Sequence, residues 1–187
     1  NLFALGVGDR VVGVTSWCDY PAETKERTVI GDALNLNLEV LLSLEPDLVV
    51  ADATLVQGHM ETLTAFGIPT FVIAPSTIAD IQESLIELGK AVGAEERGRE
   101  LAAAMAARLE ELTERAQRSF RPRVWLETWN DPLMTVGPGS FLHELIELAG
   151  GENIARDADT PWPIFSEELV IERDPQVIIL TCFNLEE

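Results

Sequence analysis

Cationic residues are scarce in this sequence. Thirteen Lys and Arg stand against 32 Asp and Glu, a formal net charge of −19 at pH 7. Such a surface repels phosphodiester backbones and anionic lipid headgroups, so no nucleic-acid partner is expected. Cysteine is nearly absent: Cys18 and Cys182 lie in different halves of the chain and show no CxxC or Cys/His spacing of a zinc or redox site. Two free thiols are the expectation, with a disulfide as the alternative. The two histidines, His59 and His143, are isolated, and neither has a Ser, Cys or second His at motif spacing; no His-rich metal site is expected. Asp157 with Asp159 reads as a solvated loop, a calcium role staying open. Long hydrophobic runs are missing too. The longest, such as Val11 to Val14 and Val177 to Leu180, are strand-sized, far below the ~20 residues that span a bilayer. The first residue, Asn1, follows no basic-plus-apolar leader, so a signal peptide is expected to have been removed or not included.

Enzyme motifs are absent as well. Gly6-Val7-Gly8-Asp9-Arg10-Val11 lacks the third glycine of a dinucleotide fingerprint, and Gly137-Pro138-Gly139-Ser140 has neither the spacing nor the Lys of a P-loop. Both read as helix punctuation. No catalytic residue is assigned, and the protein is expected not to be an enzyme.

What is present is a core. Of 187 residues 47% are hydrophobic, enough for one large or two small α/β units. Apolar or β-branched runs predict strands at Val11 to Thr15, Leu48 to Asp52, Thr70 to Ala74, Arg123 to Thr128 and Val177 to Thr181. Between them the spacing predicts helices over 38–44, 55–66, 78–92, 95–118, 140–149 and 167–173, with caps such as Asn37 and Ser166. Strands alternating with helices predict parallel sheets. The longest helix, with Leu101, Met105, Leu109 and Leu112 on one stripe, would span about 35 to 40 Å. That is long enough to bridge two lobes, although a core helix of one domain fits as well.

An internal repeat favours two lobes. Residues 37 to 51 (NLEVLLSLEPDLVVA) and 166 to 180 (SEELVIERDPQVIIL) align without a gap at an offset of 129, matching cap, glutamate, apolar positions, acid, proline and strand. A weaker match sets LGVGDRVV (5–12) against LAGGENIA (148–155) at an offset of 143, each a helix end, a glycine turn and a strand. The expected organisation is an N-terminal lobe over 1–93, a connecting long helix over 94–119 and a C-terminal lobe over 120–187. The lobe-one counterpart of strand Arg123 to Thr128 would precede Asn1, and lobe two stops soon after Thr181, so both ends are expected to be cut short.

In open α/β sheets ligands bind beyond the carboxyl ends of the strands, and aromatics follow these strands. Trp17 and Tyr20 lie in Ser16-Trp17-Cys18-Asp19-Tyr20-Pro21, Trp129 follows the strand from Arg123, and Trp162 sits in Pro161-Trp162-Pro163. Loop tryptophans flanked by proline are stiff walls suited to a large flat ligand, though each could instead plug its own lobe's core. Trp125, inside a strand, is expected in the core. Glu39 and Glu168 each fall two residues after a cap, where the helix dipole favours a carboxylate. Alternatively, one carboxylate per lobe presents two matched knobs to a symmetric partner.

These segments resemble a known family. LFALGVGDRVVGVTSWCDYP, LNLEVLLSLEPDLVVA, ETWNDPLMTVGPGSFLHELIELAGGENIA and PWPIFSEELVIERDPQVIIL are similar to segments of the substrate-binding proteins of cobalamin and iron-siderophore ABC importers. The PWP element followed by Ser-x-Glu points to the cobalamin branch. The resemblance implies a class III periplasmic binding protein: two Rossmann-like α/β lobes with parallel sheets, joined by a single long backbone helix. It implies cobalamin or a related corrinoid as the transported ligand, held in an aromatic inter-lobe cleft by Trp17, Tyr20, Trp129 and Trp162, with no catalytic cofactor. It further implies that Glu39 and Glu168 dock on arginines of the ABC transporter's membrane-subunit dimer. The expected protein is a monomer in solution, periplasmic or lipid-anchored on the outer face of the cytoplasmic membrane. Within the resemblance Trp17 replaces a tyrosine, Asp52 a tryptophan and Cys18 a serine. A ferric siderophore or haem stays open as ligand, and so, outside the family, does a cofactor-binding α/β enzyme or a surface interaction module.

Overall fold

The computed structural model describes residues 1–32, 35–116 and 120–181. The chain divides into two compact units, one of residues 1–74 with 83–102, the other of 75–82 with 103–187.

In the first unit β1 (Gly13–Val14) pairs in parallel with β2 (Thr28–Val29), a strand too short for its pattern to register in the sequence. Helix α1 (Leu38–Ser43) starts where the Asn37 side chain accepts the Val40 N–H at 3.1 Å. It ends at Glu45, in the left-handed region, and Pro46 then forbids further helix. The strand that follows, β3 (Val49–Asp52), runs parallel to β4 (Thr70–Ile73), from Val49 opposite Thr70 to Asp52 opposite Ile73. Strand alternation sends Leu48 and Val50 to a cluster built on Leu5, Leu88 and Val92, and Val49 and Ala51 to one built on Leu41, Val56 and Leu63. Both faces are covered, as parallel sheets require.

The single helix expected over 55–66 is broken. It consists of α2 (Ala53–Val56), a 3-10 turn (Gln57–His59) and α3 (Met60–Ala65). Gly58 sits at the break, where a helix would pay the highest backbone entropy for a residue with nothing to bury. Then come α4 (Ile78–Ala91) and the 21-residue α5 (Glu95–Arg115), each contributing residues to both units. Residues 117 and 118, expected at the end of α5, lie outside the described set. Gly98 lets α5 approach α4 closely, because a Cβ there would stand 2.6 Å from the Leu85 carbonyl oxygen.

In the second unit β5 (Arg123–Glu127) is central. It is followed by the hairpin β6 (Trp129–Asn130) and β7 (Leu133–Met134), helix α6 (Phe141–Leu148), β8 (Glu152–Asn153), helix α7 (Glu167–Arg173) and β9 (Val177–Leu180). The sheet order is β8-β5-β9, all parallel, with Val124 opposite both Asn153 and Val177. Val124 and Leu126 of β5 pack with Val136 and Ile146 on one face, while Trp125, only 2% exposed, packs with Ile154, Ala155 and Phe165 on the other. The α/β class, the parallel sheets and the core position of Trp125 all follow the sequence pattern.

Ser140 caps α6 by accepting the His143 N–H, and Ser166 caps α7 by accepting that of Leu169 at 3.2 Å. The Ile78 N–H of α4 donates to Glu144 of α6 at 2.8 Å. The fully buried Asn153 donates from its amide to the Val136 carbonyl at 2.8 Å and lies 2.9 Å from His143 Nδ1, while its Oδ1 accepts the Ala155 N–H. A buried amide in an apolar core demands such partners.

Candidate functional site

In the second unit, backbone hydrogen bonds build an aromatic platform. Antiparallel pairing sets Trp129 of β6 opposite Met134 of β7, and Met134 in turn opposite Ile164. The Pro161-Trp162-Pro163 segment lies along β7 and its continuation: Phe165 N–H donates to Leu133, Thr135 N–H to Pro163 and Gly137 N–H to Pro161, at 2.9 to 3.1 Å. The prolines have no N–H, so their carbonyls accept and the chain needs no further donor there. Directly opposed residues share a face, as do residues two apart. Trp129, Met134 and Ile164 therefore lie on one face, and Trp129 (49%), Ile164 (63%) and the neighbouring Trp162 (45%), in the bend that leads to Ile164, remain exposed. The Trp129 Nε1–H donates to the Asp131 carbonyl at 2.8 Å, which fixes its indole edge.

Beneath the platform, the Phe165 ring lies 5.6 Å from Trp125, and the Arg173 guanidinium stands 5.3 Å over Phe165. Arg173 in turn binds the Ile154 carbonyl and both oxygens of Asp157. Its hydrogen bond holds the Asp157 carboxyl below its usual pKa, against a small opposing effect of burial. Asp157, read from sequence as part of a solvated loop, is thus a strut of α7. Among the described residues no group of three or more His, Cys, Asp or Glu gathers to hold a metal ion.

In the first unit Trp17 and Tyr20 sit on the loop after β1, whose turn is closed by Cys18 N–H donating to Thr15. Trp17 is 52% exposed and Tyr20 87%. None of the four site aromatics plugs its own unit's core. Cys18 is a free thiol, and Cys182 lies outside the described residues.

The carboxylates Glu39 and Glu168 are exposed and stand at equivalent places, second in a short helix capped by Asn37 or Ser166. Hydrogen bonds from its own backbone N–H and from the Ser166 hydroxyl lower the Glu168 pKa, outweighing burial, so the group stays charged.

The pattern of one family, described as periplasmic binding protein, matches residues 1–186. The chain belongs to the periplasmic binding protein family. A vitamin B12-binding protein of Yersinia pestis (strain Pestoides F) is 33% identical over 180 residues, 96% of this chain, and the chain spans 64% of that relative's length. Two solved structures are similar over 96% of the chain. One is the periplasmic vitamin B12 binding protein BtuF of Vibrio cholerae, at 27% identity and a TM-score of 0.81, with 71% of that chain covered. The other is the periplasmic heme-binding protein RhuT from Roseiflexus sp. RS-1, at 31% identity and a TM-score of 0.85, also with 71% covered. The names of these family members describe binding proteins, not enzymes.

Within this periplasmic binding protein, the residues that sequence reasoning missed are Met134 and Ile164. Each joins Trp129 to Trp162 through pairing across some thirty residues of chain, roughly the separation that local periodicity cannot sense. Among the described residues no helix is long and apolar enough to cross a membrane.

Proposed function

We propose that this protein captures cobalamin or a related corrinoid outside the cytoplasmic membrane, in the periplasm or on a lipid anchor, and hands it to the membrane-subunit dimer of an ABC transporter. It binds and delivers, and it catalyses no reaction. The observation that carries this reading is the platform of Trp129 and Trp162, half-exposed side chains on a backbone ladder that holds them without burying them. Rigid flat faces of this kind suit a large ring, at low entropic cost on binding. Trp17 and Tyr20 add aromatic faces from the loop after β1. The 33% identical vitamin B12-binding relative supports the corrin ring as the ligand.

Glu39 and Glu168 are the docking groups in this reading. They are exposed carboxylates on matching capped helices, and a symmetric pair of basic sockets on two membrane subunits would complement them. Rim charges of this type set association rate and register more than they set affinity.

Haem is the second reading, favoured by the 31% identical heme-binding relative and by the exposed phenol of Tyr20, a candidate axial ligand to iron. Calorimetric titration with cyanocobalamin, haemin and a ferric siderophore separates these ligands. Binding of cyanocobalamin alone at sub-micromolar Kd, better than about −8 kcal/mol, supports the corrinoid reading. Haemin binding that disappears in Tyr20→Phe moves the assignment to haem, and binding of none of the three rejects both.

A further inference from the structure

Cations are placed unevenly in this fold. In a parallel sheet, residues ahead of a strand lie at its amino end and those after it at its carboxyl end, where ligands bind. Arg10 comes ahead of β1, Lys25 and Arg27 just ahead of β2, and Arg173 ahead of β9, while Arg123 opens β5. Hydrogen bonds keep such side chains at that end: Arg10 donates to the Val92 carbonyl, Arg27 to that of Gly8 and Arg123 to the Asp174 carboxylate. Among the described residues, the only Lys or Arg in a loop between a strand's carboxyl end and the helix that follows is Arg156, after β8. It turns back to pair with Glu152 at the start of that strand.

Carboxylates stand at the opposite end. Asp52 and Glu127 are the last residues of β3 and β5. Each site aromatic also has an exposed acidic residue close by in the chain. Asp19 lies between Trp17 and Tyr20, Asp131 holds the Trp129 indole N–H on its carbonyl, and Asp159 precedes the Pro161-Trp162-Pro163 bend. Asp157 is held by Arg173, whereas Asp19, Asp131 and Asp159 have no such counter-ion among the described residues.

Helix starts are the other source of positive potential for an anion. At the start of α4, however, the Ser76 and Thr77 N–H groups both donate to Asp80, and that of Ile78 donates to Glu144 in the first turn of α6. These groups are committed to the protein's own carboxylates.

We propose that ligand charge is selected at the carboxyl end of each unit: Asp19, Asp131 and Asp159 admit a large ring with a neutral amide or cationic periphery and reject one that carries free carboxylates. This rests on the aromatic faces being the ligand site, as proposed above. A flat ring stacked on Trp17, Trp129 or Trp162 brings its substituents to the rim of the indole, where these carboxylates repel an anion. Apolar walls strengthen the repulsion by displacing water. The amides of a corrin periphery pass this filter, and the propionates of haem do not.

The test is calorimetry with pairs of probes that differ in charge. One pair is cyanocobalamin and its monocarboxylic acid, in which one peripheral amide is hydrolysed; the other is a tetracationic N-methylpyridyl porphyrin and a tetraanionic sulfonatophenyl porphyrin. Wild type binds the amide about tenfold or more tighter than the acid, and the cationic porphyrin tighter than the anionic one by at least as much. In Asp19→Asn/Asp131→Asn/Asp159→Asn both ratios fall to within about twofold of unity. Glu96→Gln/Glu110→Gln/Glu114→Gln, at exposed positions of α5, removes the same net charge and keeps the wild-type ratios. Equal binding within each pair by wild type overturns the proposal, and so do ratios that both triple variants lower alike, the sign of net charge acting at a distance. Failure of cyanocobalamin alone to bind rejects the corrinoid reading, while the porphyrin pair still decides on charge selection; binding of no probe overturns both.

Discussion

Glu45 and Asp174 hold the same left-handed backbone conformation, φ 47° and 46°, and each donates its N–H at 3.1 Å to the carbonyl three residues earlier, Leu42 or Ile171. Each ends a short capped helix and precedes a proline and a strand. For residues with a Cβ this conformation costs on the order of 1 kcal/mol or more. The repeat therefore extends from residue types to backbone geometry, and the same unit is built twice.

Replacing Glu45 by Gly relieves that cost and is expected to raise unfolding stability by about 0.5 to 1 kcal/mol in urea titrations. Asp174→Gly is expected to gain less, because the Asp174 carboxylate also accepts from Arg123 at 2.6 Å, although an exposed pair of this kind contributes little.

Much of this fold was legible in the sequence because its signals are local. Asn37 and Ser166 cap helices where a polar residue precedes an apolar periodicity, and all five predicted strands form, trimmed by one to three residues. The broken helix at Gly58 was missed because the flanking apolar spacing is helical on both sides. The hairpin of Trp129 to Met134 and the strand Thr28–Val29 have too few residues for alternation to show. In the weaker repeat the left-handed glycines are Gly6 and Gly150, one residue out of step with the alignment. Trp17, Tyr20, Trp129 and Trp162 were legible as loop aromatics after strands, whereas the ladder that fixes Trp162 rests on long-range pairing that no spacing encodes.

Trp125 and Trp162 should separate stability from binding. Trp125→Ala empties a site packed by Ile154, Ala155 and Phe165 and is expected to cost about 3 to 5 kcal/mol of folding stability. Trp162→Ala removes a half-exposed side chain and is expected to shift the urea midpoint little.

Stability should fall on acidification through Glu147. Burial opposes its charge, but hydrogen bonds from Arg121 and from the Asn153 N–H outweigh that and lower its pKa. A carboxylate depressed in the folded state stabilises above its unfolded pKa, about 4.3, and that contribution is lost as pH falls through the lower folded value. Thermal melts of wild type and Glu147→Gln should differ most above about pH 5 and converge toward pH 3.

Charge reversal at both proposed docking positions, Glu39→Lys with Glu168→Lys, should leave ligand affinity unchanged and reduce ligand-stimulated ATPase of a reconstituted cognate transporter by about tenfold or more. Each single reversal should fall between.

The most direct test of the corrinoid reading is the calorimetric Kd for cyanocobalamin of wild type beside Trp162→Ala. Tight binding by wild type, weakened about tenfold or more (~1.4 kcal/mol) in a variant that unfolds at the same urea concentration, is the predicted result. Equal affinity in the two proteins would contradict the platform's role in binding, and absence of binding by folded wild type would contradict the corrinoid assignment itself.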